Sequence, residues 1–80
     1  MSVAYDRLVS LLTLKLGVAS EDVAPDITFE ELEVDSLALV ELTDILDAEF
    51  GVNLEEGAVR KDRKLAEVAS ILEQYENGRS

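Results

Sequence analysis

The chain of 80 residues contains no cysteine and no histidine. Without cysteine there can be no disulfide, no thiolate metal site and no cysteine nucleophile. Without histidine the commonest general base is missing, and a Ser-His-Asp triad cannot be assembled. These absences argue against an enzyme, and we predict neither catalytic nor metal-binding residues. A domain of this size must then be held together by helix packing alone.

Basic residues are scarce, because 7 Lys and Arg stand against 18 Asp and Glu, a net charge of −11. Between Lys15 and Arg60 there is no Lys or Arg, whereas 13 of the carboxylates fall in that interval. This distribution disfavours binding to nucleic acid and to an anionic membrane surface. It favours basic protein partners, which the field of the chain would attract. The plainer alternative is an acidic surface that only keeps the chain soluble.

Long apolar runs are also missing. No stretch approaches the ~20 residues needed to span a bilayer, and the N-terminus lacks the basic start and apolar segment of a signal peptide. We therefore expect a cytoplasmic protein. We also expect it to be a monomer and to form a single domain over residues 1–80.

Apolar residues recur at helical spacing, and no strand pattern is present. The spacing predicts an all-α four-helix bundle with a short third helix and a long loop between helices 1 and 2. The expected helices span residues 3–16, 36–50, 55–61 and 63–75. Asp62 is a candidate cap for the last of them.

Within the long loop, Thr28 and Glu31 fit a capping box, which predicts a short helical turn near residues 29–32. Apolar side chains of the loop are expected to pin it onto the core: Ile27, Phe29, Leu32 and Val34.

The second predicted helix begins at Asp35 and Ser36, two residue types that start helices. One side of it is a core face made of Leu39, Leu42, Leu46 and Phe50. The opposite side is both apolar and acidic, with Leu37, Val40, Glu41, Asp44 and Asp47. Such an outward face, just after a serine at the helix start, predicts a docking surface beside a point of attachment.

The run from Phe29 to Glu41, with Asp35-Ser36-Leu37 inside it, resembles the motif of acyl carrier proteins. It is most similar to the discrete carriers of polyketide and fatty acid synthesis. In that family the motif serine carries 4′-phosphopantetheine through a phosphodiester, and the terminal thiol holds the growing acyl chain.

The resemblance implies that Ser36 is the attachment residue and that Asp35 contributes to recognition by the transferase. It also implies that the apolar and acidic side of the second helix contacts partners, through Leu37, Val40, Glu41, Asp44 and Asp47. No histidine or lysine lies near Ser36 in the sequence to remove its proton, so Ser36 is expected to be a substrate of another enzyme. The expected partners are a phosphopantetheinyl transferase, an acyltransferase, a ketosynthase and other synthase enzymes with basic docking patches.

A cleft in the bundle could shelter the carried chain, lined by Ile45, Leu46, Val59, Val68 and Leu72, although these residues also fit an ordinary core. Two single positions and one cluster depart from the family pattern. Glu33 stands where most relatives have glycine, and Glu55 where a proline often stands. Many relatives are acidic where this chain has a basic cluster, Arg60, Lys61, Arg63 and Lys64. The cluster could pair with the acidic second helix or fit a pathway-specific partner.

Two alternatives remain open. A peptidyl or aminoacyl carrier of a nonribosomal pathway would use the same serine chemistry. The second is an acidic interaction module, for instance a nucleic acid mimic, whose mass would not change on incubation with coenzyme A and a transferase. Within the carrier interpretation, Phe29-Glu30 and the residues from Asp35 to Leu39 favour aromatic polyketide carriers, as in antibiotic biosynthesis.

Overall fold

The computed structural model describes residues 3–54 and 57–77. In this part of the chain there are three α-helices, α1 (Val3–Lys15), α2 (Ser36–Phe50) and α3 (Leu65–Asn77), together with a 3₁₀ turn at Ser20–Asp22. No strand occurs in the same residues, so the all-α class is confirmed.

The predicted helix over residues 55–61 is not found where it can be checked. Residues 57–61 form turns and bends, and residues 55 and 56 lie outside the described residues. Gly57 has a φ of 89°, a left-handed conformation that a right-handed helix cannot contain. The described fold therefore has three α-helices where four were predicted.

Helix α3 begins at Leu65, two residues later than predicted. The backbone of Lys64 is engaged in an antiparallel bridge with Thr28. The Lys64 N–H also donates to the Glu67 carboxylate at 2.9 Å, the reach-back bond of a capping box. Asp62 pairs with Arg60 at 3.2 Å instead of starting the helix.

The core draws on all three helices and on the long loop. Its largest fully buried side chains are Phe29, Leu8, Leu12, Leu42, Leu46, Leu65, Leu72 and Val68. The predicted core face of α2 is buried throughout. Arg7 of α1 donates to the carbonyl oxygen of Glu49 at 2.7 Å and lies 4.3 Å from the centre of the Phe50 ring. This cation fixes α1 to the negative end of the α2 dipole.

Backbone pairing, as well as apolar packing, holds the long loop against the chain just before α3. The Glu30 N–H donates to the Lys61 carbonyl at 2.9 Å, and the Leu65 N–H donates to the Ile27 carbonyl at 2.9 Å. The Ala66 N–H donates to the Pro25 carbonyl at 3.0 Å. Together with the bridge at Thr28, these bonds place the basic cluster next to the segment that leads into α2.

The predicted capping box is confirmed. The Thr28 N–H donates to the Glu31 carboxylate at 2.9 Å, and the Glu31 N–H donates to the Thr28 hydroxyl at 3.2 Å. The turn closes with bonds from the Val34 N–H to the Phe29 carbonyl and from the Glu33 N–H to the Glu30 carbonyl, both 3.0 Å. This is the Schellman arrangement that ends many helices, with Glu33 in the left-handed position at φ 62°.

Replacing Glu33 by glycine is expected to stabilise the fold. The left-handed conformation costs a residue with a Cβ about 1–2 kcal/mol, and glycine removes that cost. Allowing for the greater freedom of glycine in the unfolded chain, we expect the free energy of unfolding to rise by about 1 kcal/mol. For a domain of this size the melting temperature then rises by roughly 4–8 °C.

Glu33→Ala is the matched control, since it removes the same carboxylate but keeps the Cβ. Thermal unfolding of both variants separates the two causes. An equal gain in the alanine variant would assign the effect to charge and contradict the backbone explanation.

Candidate functional site

Helix α2 starts from a cap supplied by Asp35. The backbone of Asp35 is extended, with φ −79° and ψ 177°, and the Asp35 Oδ1 accepts the Ala38 N–H at 2.8 Å. Ser36 is the first residue of the helix. The carboxylate of Asp35 therefore satisfies a first-turn N–H and complements the helix dipole.

Ser36 has no capping role. Its side chain is exposed, and its hydroxyl forms no hydrogen bond with any residue that the structure describes. A serine at a helix start most often caps it, but here the neighbouring aspartate does so. The hydroxyl is therefore exposed to solvent at the start of α2.

Beyond Ser36, the outward side of α2 presents four exposed side chains, which we name the docking face: Leu37, Val40, Glu41 and Asp44. Leu37 is 69% exposed and Val40 is 59% exposed. Two large apolar side chains with water on most of their surface, flanked by carboxylates, have the composition of a small protein contact with an apolar centre and a charged rim.

Asp47 differs from the docking face. It is half-buried, and its Oδ1 accepts the Leu54 N–H at 3.0 Å. Its carboxylate thus holds the chain that follows α2, where the φ of 64° at Gly51 turns the backbone away from the helix. The structure gives Asp47 a structural role that its helical position alone did not indicate.

An open cleft of about 610 Å³ lies beside Ser36. Its apolar lining includes Leu39, Leu54 and Val59, and its polar lining includes Asp44, Arg60 and Lys61.

Of the five residues predicted to line a cleft, only Val59 lines this one. Leu46, Val68 and Leu72 are fully buried among the helices, and Ile45 packs against that core. For these four residues the structure supports the ordinary core interpretation, because helical spacing shows that a side is buried without showing what it faces.

A smaller hollow of about 280 Å³ lies on the loop side of Ser36. Its lining is mostly charged: Glu30, Glu33, Asp35 and Lys61, with Val34 and Ser36. Lys61 therefore borders both hollows, and Ser36 stands at each of them. Sequence reasoning missed this neighbour of Ser36, since no local pattern connects the two residues.

The two arginines of the basic cluster bond within their own segment. Arg60 donates to Asp62 at 3.2 Å, and the Arg63 Nε donates to the Gly57 carbonyl at 3.4 Å. Among the described side chains, no ion pair joins the cluster to α2. The expected pairing with the acidic helix is therefore not seen.

Comparison with known proteins agrees with this geometry. The family model for the phosphopantetheine attachment site matches residues 6–72. An acyl carrier protein of Chlamydia trachomatis serovar L2 is 32% identical over 90% of this chain and 95% of its own length. The chain belongs to the acyl carrier protein family. An acyl carrier protein of Solidesulfovibrio magneticus is 34% identical over 91% of this chain and 94% of its own, and one of Nitratidesulfovibrio vulgaris is 29% identical over 84% and 90%.

Membership of the acyl carrier protein family makes the chain a carrier, not a catalyst, and makes covalently bound phosphopantetheine its cofactor. The residues present fit that group, because the exposed Ser36 hydroxyl, which bonds to none of residues 3–54 and 57–77, stands beside an open cleft. Across residues 3–54 and 57–77, no helix has the length and apolar character required to cross a membrane.

Proposed function

We propose that the protein carries acyl intermediates of a polyketide or fatty acid pathway as thioesters on 4′-phosphopantetheine attached to Ser36. The observation that supports this most strongly is the Ser36 hydroxyl, which is exposed at the start of α2 and caps nothing. The thiol at the end of the arm supplies the thioester chemistry, and the chain's own residues attach the arm and present it.

Attachment is a phosphoryl transfer carried out by a phosphopantetheinyl transferase. The Oγ of Ser36 forms a bond to the phosphorus that bears pantetheine in coenzyme A, and the bond from that phosphorus to 3′,5′-ADP breaks. The hydroxyl proton passes to a base on the transferase, because Ser36 has no hydrogen-bonded base of its own among the described residues. Asp35 uses one carboxylate oxygen for the cap and offers the other for recognition.

The docking face serves the partner enzymes in turn: the transferase, an acyltransferase, a ketosynthase and other synthase enzymes with basic patches. Leu37 and Val40 provide the apolar contact, while Glu41 and Asp44 supply charge at the rim. Rim charges act mainly on the association rate and its salt dependence. Asp47 lies on the same helix and holds the loop that follows it, through the Leu54 N–H.

Glu41→Lys is expected to slow modification by a phosphopantetheinyl transferase roughly tenfold at low salt, because reversing a rim charge weakens electrostatic steering. The fold should be unaffected, since Glu41 is exposed. Initial rates of the mass change at low and high salt measure the effect, which should shrink as salt screens the charges.

Glu21→Lys makes the same charge change at an exposed position outside the docking face and is the control. Equal rates for Glu41→Lys and wild type at low salt would show that Glu41 does not contribute to docking of the transferase. Equal slowing in both variants would show that net charge matters and position does not.

The cleft beside Ser36 is the proposed resting place of the acyl chain nearest the arm. Its volume of about 610 Å³ falls in the range of small-molecule sites, roughly 300–1,000 Å³. Its combination of aliphatic and charged lining suits a chain with both apolar and oxygenated segments. We therefore favour a polyketide intermediate, in agreement with the residues around Phe29 and Asp35.

Loading of the modified protein tests the pathway. An acyltransferase with malonyl coenzyme A should load it, detected as a malonyl mass on the intact protein. Loading instead by an amino-acid-adenylating enzyme, with no malonyl transfer, would favour a nonribosomal peptide carrier.

A further inference from the structure

Lys61 stands beside Ser36 although it lies far along the chain. The two residues share the lining of the cleft and of the smaller hollow. Both hollows therefore border Ser36 and Lys61, although 24 positions separate the two residues in the sequence.

The backbone of Lys61 is fixed there. Its carbonyl accepts the Glu30 N–H at 2.9 Å, within the paired segment that leads into α2. The next backbone bonds of the same pairing, at Leu65 and Ala66, hold the rest of that segment against the loop. Main-chain hydrogen bonds therefore set the position of the Lys61 backbone, and this position does not depend on the Lys61 side chain.

The ammonium group of Lys61 has no bonding partner in the part of the chain that the structure describes. Its side chain is exposed and makes no hydrogen bond or ion pair with a described residue. Arg60, the other cation on the cleft, is paired with Asp62. Of the two cations that line the cleft, Lys61 is the one without an ion pair to a described residue, and it is available to a new anion.

The surroundings of Ser36 are otherwise acidic, since Glu30, Glu33 and Asp35 line the smaller hollow. A phosphodiester on Ser36 adds one more negative charge among these carboxylates. Like charges that line one hollow repel one another, and a nearby ammonium offsets part of that repulsion.

We infer that the Lys61 ammonium pairs with the phosphodiester once Ser36 is modified and holds the base of the arm beside the cleft. The inference rests on the proposed attachment at Ser36. Lysine binds phosphate oxygens as a point charge, through charge-assisted hydrogen bonds. Held at its base, the arm begins next to the apolar lining of the cleft, so Lys61 is a positioning residue for the cargo.

Lysine labelling tests this directly, because the chain has only three lysines, at positions 15, 61 and 64. The protein is labelled with ¹⁵N at the lysine side chains, and intact mass first confirms complete modification of Ser36 by a transferase and coenzyme A. Nuclear magnetic resonance then compares the three Nζ groups before and after modification. The mobility of the Lys61 ammonium should fall, while Lys15 and Lys64 should be unchanged.

Thermal unfolding gives a second readout. Modification should raise the melting temperature of the wild type by roughly 2–4 °C more than that of Lys61→Gln, as expected for a partly exposed charge pair. Lys64→Gln is the matched control, with the same charge change in the same segment, and should respond as the wild type does.

The outcomes separate the two proposals. No modification of Ser36 would overturn the proposed function, and the inference with it. Full modification with an unchanged Lys61 ammonium, and equal melting shifts in all three proteins, would overturn the inference alone. A response at Lys64 in place of Lys61 would overturn it as well.

Discussion

Ser36→Ala should abolish the mass increase that a phosphopantetheinyl transferase and coenzyme A produce, and should leave the fold unchanged. Loss is expected to be complete because, in the proposed attachment, the Oγ of Ser36 is the atom that forms the bond to phosphorus. The fold should persist because the hydroxyl has no partner among the described residues and Asp35 supplies the helix cap. Alanine also favours a helix slightly more than serine does.

Intact mass measures the modification, and circular dichroism with thermal unfolding measures the fold. Ser70→Ala, at an exposed position of α3, is the matched control and should be modified at the wild-type rate. A full mass increase in the Ser36→Ala protein would show that another residue carries the group. If Ser36→Ala lost both its helicity and its modification, unfolding would explain the missing mass increase, and the structural argument that the hydroxyl is dispensable for the fold would be wrong.

Phe29→Ala should lower the free energy of unfolding by about 3–5 kcal/mol, the usual cost of removing a buried phenylalanine. Phe29 is fully buried although it lies in the loop between α1 and α2. An 80-residue domain has a total stability of only about 4–12 kcal/mol. The variant should therefore be marginally folded at room temperature.

Equilibrium unfolding in urea measures this change. Leu14→Ala is the contrast, since it also shortens an apolar side chain but at a site 79% exposed, and it should change the free energy by less than about 0.5 kcal/mol. Similar costs in the two variants would mean that the loop is not packed into the core.

Phe29 also bears on the site, because its carbonyl closes the turn that ends two residues before Ser36. The rate at which the transferase modifies Phe29→Ala should accordingly fall below the wild-type rate by a larger factor than the loss of folded protein explains. Stabilising that variant with Glu33→Gly should recover part of the modification rate.

The three long helices were predictable because each carries a strong apolar repeat. The predicted range 36–50 coincides with Ser36–Phe50, and the range 3–16 with Val3–Lys15 to within one residue. The capping box at Thr28 and Glu31 was predictable for a related reason, since its two partners lie three residues apart.

The remainder of the fold depends on pairings between distant parts of the chain. The expected helix around residue 57 does not form at the described residues, because Gly57 has a left-handed backbone. The start of α3 is shifted by the bridge between Thr28 and Lys64. Glu33 shows the intermediate case: its departure from the family glycine was visible in the sequence, but its strained φ was not.

The candidate site divides in the same way. Ser36 and the docking face lie within one helix, so their common exposure follows from its geometry. The bond from Asp47 to Leu54 was not predictable, because its acceptor is on α2 and its donor is in the following loop. The approach of Lys61 to Ser36 requires the backbone pairing of Glu30 with Lys61, which no local pattern encodes.

The most direct test of the account is the intact mass of the protein purified from cells that make the pathway's product, followed by fragmentation to locate the added group. We expect phosphopantetheine on Ser36, in part bearing an acyl chain. A bare Ser36 in those cells, or the group on any other residue, would contradict the account.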